Sequence, residues 1–350
     1  MEQTHGSIPW KYIESLGIEP GDVADFSASV NPFSNEIDYS GVIEGINPAL
    51  YPDRENREFI DTLSEHYGVP QEMILPCSGT TELIYSLPLI WRRLLVFDPV
   101  YSDYEDAYTR YNRPIVSLDN NVLAQGEEGI RDHLSGRAQD WDICVIVNPN
   151  NPDGKYIRPD IIAGVAKAFD DKIFCIDESY QETGIDCASG MHLPEKLRNV
   201  VVLRSLTKSY GLAGLRCGYG IASEPAAGLL RRMVKPWNIN IYTQKLIPRI
   251  FRNYRRYKEH WTRILKNRKE LCESLSGMGW GVDAAGKGPF FLVSCRESTD
   301  LRKRLLDEYL INVRDCASFG MPQSIRIMPG NETDNNRLIK ALSKLQEFVL

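Results

Sequence analysis

Four short apolar runs punctuate the middle of the chain, each closed by polar or glycine-rich sequence. They are Leu94–Asp98, Ile143–Asn148, Ile173–Asp177 and Val200–Ser205. Helical spacing separates them, notably over Pro159–Phe169. Near-continuous apolar strands alternating with helices predict an α/β fold with a mostly parallel sheet covered on both faces. Upstream, Phe59, Ile60, Leu63 and Tyr67 predict a helix over 55–67. Residues 1–40 are rich in Pro, Ser and Asn and predict an irregular arm. From 246 to 275, Ile250, Tyr254, Tyr257, Trp261, Leu265 and Leu271 form an apolar stripe that predicts one long helix. Strands at Pro289–Val293 and Ser324–Met328, with helices at Leu301–Tyr309 and Asn335–Phe348, make a small α+β domain. The expected organisation is therefore an arm (1–40), a large domain (41–245) and a small domain (246–350).

Composition narrows the function classes. A length of 350 residues suits a large domain plus a smaller one. A formal charge of −6 argues against a nucleic-acid binder, so the basic 246–275 helix reads as a solvated face on a core helix. The N-terminus lacks a basic, apolar leader, and no apolar run approaches the ~18–20 residues of a membrane span. The eight cysteines are scattered, with no C-x-x-C pair. They read as buried free thiols of a cytoplasmic protein, with no metal site expected.

The chemistry gathers where such sheets bind ligands, beyond the carboxyl ends of the strands. Asn151 follows the second run, Asp177 closes the third, and Ser205 and Lys208 follow the fourth. The segment Pro76–Glu82 puts a glycine turn and hydroxyls before a predicted helix, which suits a phosphate or a capping box. No Walker motif, H-E-x-x-H or G-x-S-x-G occurs, and Gly218-Tyr219-Gly220 is too incomplete for a dinucleotide fingerprint. Lys208 follows a buried strand and precedes Gly211, Gly214 and Arg216. A desolvated lysine near other cations has a lowered pKa, which favours bonding to an aldehyde. Asp177 is costly to bury unless paired, and a pyridinium is a suitable partner; otherwise it caps the next helix. These are the requirements of pyridoxal 5′-phosphate (PLP): a lysine, a carboxylate at the ring nitrogen, and a phosphate cradle. The ring also needs an aromatic partner and a donor at its 3-oxygen.

The order Gly79-Thr80-Thr81, Asn148–Gly154, Asp177–Tyr180 and Ser205-x-Thr207-Lys208 with Arg216 resembles the fold-type-I PLP-dependent aminotransferases, over nearly the whole chain. The resemblance implies a seven-stranded large-domain sheet, and an arm packed on the small domain and the substrate site. It assigns Lys208 to the cofactor aldehyde, Asp177 to the pyridine nitrogen, Asn151 and Tyr180 to the 3-oxygen, and Tyr101 to ring stacking. Thr80, Thr81, Ser205 and Arg216 fall to the cofactor phosphate, and Gly79 and Thr207 to cofactor binding. Tyr51, of Tyr51-Pro52-Asp53, would reach that phosphate from the partner subunit of a homodimer with a shared active site.

Within the family the chain resembles the histidinol-phosphate aminotransferase branch, and inside it the threonine-phosphate decarboxylases of cobalamin biosynthesis. His5-Gly6, Asp25–Pro32, Arg204–Lys208 and Pro236–Asn240 point to the decarboxylases, while Val313–Phe319 fits both enzymes of the branch. The resemblance implies that Arg326 holds a substrate carboxylate, and that Arg314, His5 and Asn31 lie near a substrate phosphate. Four positions depart from the pattern: Asp153 replaces the usual Thr, Ser7 a second Gly, and Cys77-Ser78 the commoner Gly-Asn. The implied reaction is decarboxylation of L-threonine O-3-phosphate to 1-amino-2-propanol O-2-phosphate. The alternative is histidinol-phosphate transamination with 2-oxoglutarate. The bond held perpendicular to the cofactor ring decides between them. A non-catalytic binding module would lack Lys208 or carry an added DNA-binding segment, and neither is seen.

Overall fold

A computed structural model describes residues 6–350. Thirteen strands make three sheets among the described residues. In chain order the strands are β1 (Ala24–Asp25), β2 (Ile74–Cys77), β3 (Leu94–Asp98), β4 (Ile115–Asp119), β5 (Ile143–Val147), β6 (Ile173–Asp177) and β7 (Val200–Ser205). They continue with β8 (Gly218–Ala222), β9 (Gly281–Asp283), β10 (Phe291–Ser294), β11 (Ile311–Asn312), β12 (Arg314–Asp315) and β13 (Ser324–Ile327). The large sheet has seven strands in the order β2-β8-β7-β6-β5-β3-β4. β3 to β7 pair in parallel, while β8 runs antiparallel to both neighbours.

The apolar runs are continuous because both faces of this sheet are covered. On β5, Cys144 and Ile146 enter one core layer, while Ile143, Val145 and Val147 enter the other. β2 is an edge strand, so Pro76 inside it removes no interior ladder bond. The smaller sheet is antiparallel, ordered β12-β13-β10-β9. Its core draws on helices Ser298–Tyr309 and Glu332–Lys344 through Leu301, Leu305, Leu338 and Leu342.

Two expectations need correcting. The 246–275 stretch is not one helix: Ile241–Arg252 and Tyr254–Gly277 meet at Asn253. The Asn253 side chain donates to the Arg249 carbonyl at 2.9 Å and takes up an acceptor left free at the first helix's end. The arm is also not irregular throughout. It contains a helix at Trp10–Ser15, and β1 pairs in parallel with β11 of the small domain. All eight cysteines are free; Cys187 alone is half-buried and the rest are buried. No helix among the described residues is long and apolar enough to cross a membrane.

Candidate active site

The carboxyl ends of β5, β6 and β7, the loop after β2 and the β12–β13 pair converge on one cavity of about 150 Å³. Thirteen of the residues singled out above line it: Gly79, Thr80, Thr81, Tyr101, Asn151, Asp177, Tyr180, Ser205, Thr207, Lys208, Arg216, Arg314 and Arg326.

Asp177 is the last residue of β6 and is buried. Its Oδ1 accepts from the Ser179 backbone N–H at 2.9 Å and from Ser179 Oγ at 2.5 Å; its Oδ2 accepts from Tyr104 Oη at 2.8 Å. Each of these donors is neutral, and burial pushes the carboxyl pKa above its ordinary value. Such a carboxylate gains most from a cation brought against it, and a protonated pyridine nitrogen meets that need. The helix-cap reading of Asp177 is set aside, because its oxygens serve a local turn and a tyrosine. Lys208 sits on the single helical turn Leu206–Ser209 after β7, and its Nζ donates to the Ala28 carbonyl at 3.3 Å. Tyr101 donates to Asp103 Oδ2 at 2.7 Å, which fixes its ring at the cavity wall.

The opposite end is built for an anion. Gly79 has φ +71°, and a Cβ there would lie 2.7 Å from Arg216 Nη2, so only glycine fits. Thr80 and Thr81 open the short helix that follows. No side chain caps this helix; Glu82 Oε2 instead accepts the Ser78 N–H at 2.7 Å and Asn238 Nδ2 at 2.9 Å, which ties down the preceding loop. The hydroxyls of Ser205 and Thr207 lie 2.7 Å apart, and Arg216 adopts a left-handed φ of 53°. Four hydroxyls and a guanidinium at a glycine turn suit a phosphate. The donor set of the whole cavity therefore fits PLP.

The small domain supplies two buried arginines that face each other across antiparallel strands, Arg314 on β12 and Arg326 on β13. Arg326 donates to Asn151 Oδ1 and, at 2.8 Å, to the Ser27 carbonyl; its buried Nε finds no acceptor among the described residues. Arg314 donates to Ser318 Oγ at 2.7 Å and lies 4.8 Å from the Phe319 ring centroid. Burial, with Arg326 beside it, lowers the Arg314 pKa to about 10, which leaves it cationic at neutral pH. Gly6 also lines the cavity, where a Cβ would lie 2.1 Å from the Ser27 carbonyl oxygen and 3.3 Å from Arg326 Nη2. Asp153 accepts the Lys155 N–H at 3.1 Å and Asn150 Nδ2 at 2.8 Å, so it closes the turn that the commoner Thr would.

Two other expected residues do not line this cavity. Asn31 is buried but points its amide at the Ser209 carbonyl, at 3.0 Å. Tyr51 is 82% exposed, its ring centroid 5.4 Å from that of Trp237. His5 lies outside the described residues. Sequence reasoning gave no role to Tyr104 and Asp103, nor to Ser179 and Phe319 inside the motifs it named. Only Ser179, two residues after an aspartate, carries a readable signal, that of an Asx-type turn.

Beneath the cavity, buried Arg204 donates to Glu178 Oε2 at 2.9 Å and to Glu182, and burial raises the Glu178 pKa. Arg204→Ala would leave two buried carboxylates without their cation and is expected to destabilise the fold by about 3–5 kcal/mol. Urea melts of both proteins check this; an unchanged midpoint would refute it.

Residues 38–342 match the family Aminotransferase class I and II. The adenosylcobalamin biosynthesis bifunctional protein CobDQ of Leptospira interrogans is 26% identical over 97% of this chain, which spans only 41% of that protein. The threonine-phosphate decarboxylase of Salmonella typhimurium is 27% identical over 97% of this chain and 95% of its own length. The histidinol-phosphate aminotransferase of Chlorobium luteolum is 28% identical, with coverages of 84% and 83%. The crystal structure of histidinol-phosphate aminotransferase from Sinorhizobium meliloti with pyridoxal 5′-phosphate superposes with a TM-score of 0.85 at 18% identity, covering 97% of this chain and 95% of that one. The matched span and the donor set agree: this chain belongs to the class I and II aminotransferase family, and its cofactor is pyridoxal 5′-phosphate.

Proposed function

We propose that this enzyme decarboxylates L-threonine O-3-phosphate to 1-amino-2-propanol O-2-phosphate. The observation that carries the reading is the pair of buried arginines, Arg314 and Arg326, on adjacent strands of a small cavity that also holds Lys208. L-Threonine O-3-phosphate presents a carboxylate and a phosphate on one short skeleton, which suits two guanidinium groups set this close. Histidinol phosphate itself has no carboxylate; in the alternative reaction the carboxylates come from 2-oxoglutarate and glutamate. Similarity to the Salmonella decarboxylase and to the Leptospira cobalamin protein adds support.

PLP, when bound, supplies the electron sink for the pair released at Cα. Asp177 would hold a proton on the pyridine nitrogen, Asn151 and Tyr180 would serve the 3-oxygen, and Tyr101 would cover the ring. Gly79, Thr80, Thr81, Ser205, Thr207 and Arg216 hold the cofactor phosphate. Arg326 would hold the substrate carboxylate, the group that leaves as CO₂ when the Cα–carboxylate bond breaks. Lys208 Nζ then delivers a proton to Cα. Arg314 takes the substrate phosphate, with His5 placed near it by resemblance alone. Exposed Tyr51 reaches the site of a second copy, which makes the active form a homodimer.

The test incubates PLP-loaded enzyme with L-threonine O-phosphate and, separately, with histidinol phosphate plus 2-oxoglutarate. CO₂ release without a keto-acid acceptor is the expected result. Glutamate formation in the second mixture with no CO₂ in the first would replace this reading with transamination.

A further inference from the structure

The turn that carries Lys208 cannot hold itself. Leu206–Ser209 is only four residues long, so its last carbonyls have no partners within the helix and must find them outside. The Gly211 N–H donates to the Lys208 carbonyl at 3.1 Å, and most of the remaining donors come from the N-terminal arm. Asn31 N–H donates to the Lys208 carbonyl at 2.9 Å, and Asn31 Nδ2 donates to the Ser209 carbonyl at 3.0 Å. Trp261 Nε1 adds a second donor to Ser209, at 2.8 Å. The other end of the Asn31 amide is also engaged, with Oδ1 accepting the Phe33 N–H at 2.9 Å. Both ends of the amide are therefore used within the protein, and the side chain is locked in one orientation.

The approach is specifically accommodated. Gly211 has φ +69°, and a Cβ there would fall 2.2 Å from Ser34 Cβ and 3.2 Å from the Asn31 carbonyl oxygen. A side chain at 211 would push the arm off the lysine turn. Just before Asn31, buried Ser29 takes a left-handed φ of 50°, and its Oγ has no partner among the described residues. A non-glycine residue held this way costs energy that surrounding contacts must outweigh. The Asn31 bonds to Lys208 and Ser209 are among those contacts.

We infer that Asn31 is a positioning residue for Lys208, and that it does not bind substrate. It sets the direction of the lysine by holding two consecutive carbonyls of its turn, with Trp261 as the second brace. The inference rests on Lys208 being the residue that bonds the cofactor, and not on which substrate the enzyme uses.

The test compares wild type with Asn31→Ala and Asn31→Asp. The Asp variant keeps the volume and the acceptor for Phe33 while removing the donor to Ser209, and it serves if the Ala variant does not fold. Apoprotein is mixed with PLP, and capture is followed by absorbance and by borohydride reduction with peptide mass mapping. Capture at Lys208 is expected to slow about fivefold or more, the scale of losing one or two buried hydrogen bonds. With the substrate that the wild type turns over, kcat should fall while KM stays within about twofold. Wild-type capture and absorbance together with a large rise in KM would overturn the inference and put Asn31 on the substrate's anion. Wild-type values throughout would also overturn it. Labelling of a different lysine in the wild type would instead remove the assignment on which it rests.

Discussion

Lys208→Ala eliminates turnover while the protein stays folded and still holds PLP without a covalent bond. The side chain is partly exposed on a single helical turn, and its Nζ makes one long contact, 3.3 Å to the Ala28 carbonyl. Truncation therefore opens no core cavity, and stability should change by less than about 1 kcal/mol. What is lost is the only amine, among the described residues lining the cavity, able to bond the cofactor aldehyde and return a proton to Cα. Asp177 and the Gly79–Thr81 turn remain to hold the ring and the phosphate. Three measurements check this: activity, the absorbance of bound PLP, and peptide mapping after borohydride reduction. In the wild type, reduction adds the cofactor mass to the Lys208 peptide; in the variant no peptide gains it. Turnover in the variant would remove Lys208 from the chemistry.

The second large effect is Asp177→Asn, for which a fall in kcat of about 100-fold or more is expected. The substitution preserves size. An amide cannot stabilise a proton on the pyridine nitrogen as a buried carboxylate does, so the ring loses its pull on electrons. The carboxylate now accepts from three neutral donors, on Ser179 and Tyr104. The amide must turn its NH₂ toward one of those donors, which costs about 1–3 kcal/mol of stability. Steady-state kinetics with PLP-saturated variant, alongside urea melts, separate the two effects. A kcat within about twofold of wild type would mean that Asp177 does not face the ring nitrogen.

Much of the large sheet was legible because its strands are buried on both faces and read as unbroken apolar runs. Leu94–Asp98, Ile173–Asp177 and Val200–Ser205 coincide with β3, β6 and β7. The polar residues closing them mark the site for the same reason, since a buried strand can end in Asp177 or Ser205 only where something requires it. The strands at the antiparallel side were not legible. β2 contains Pro76, and β8 begins Gly218-Tyr219-Gly220, which reads as a turn. Gly218 is needed because a Cβ there would sit 3.0 Å from both the Arg204 carbonyl oxygen and Thr80 N. That is a tertiary reason, with no local trace. β1 and β11 are two residues each and exist only through their pairing with one another. Asn31 was read as a substrate contact from its motif, while its partners on the lysine turn are fixed by chain segments 178 residues apart.

The site is stitched together from the two ends of the chain. Lys208 meets Ala28 across 180 residues, Arg326 meets Asn151 across 175, and Arg326 meets Ser27 across 299. Contacts this distant close late in folding, because the loop entropy must be overcome before they form. During synthesis the pocket cannot be complete until β13, near the carboxyl end, has emerged and docked on the arm. A chain that stalls before that point lacks Arg326 and cannot complete the cavity. Catalytic competence in this protein is thus a report on the whole chain, from Ser27 to Arg326, and not on the domain that carries Lys208.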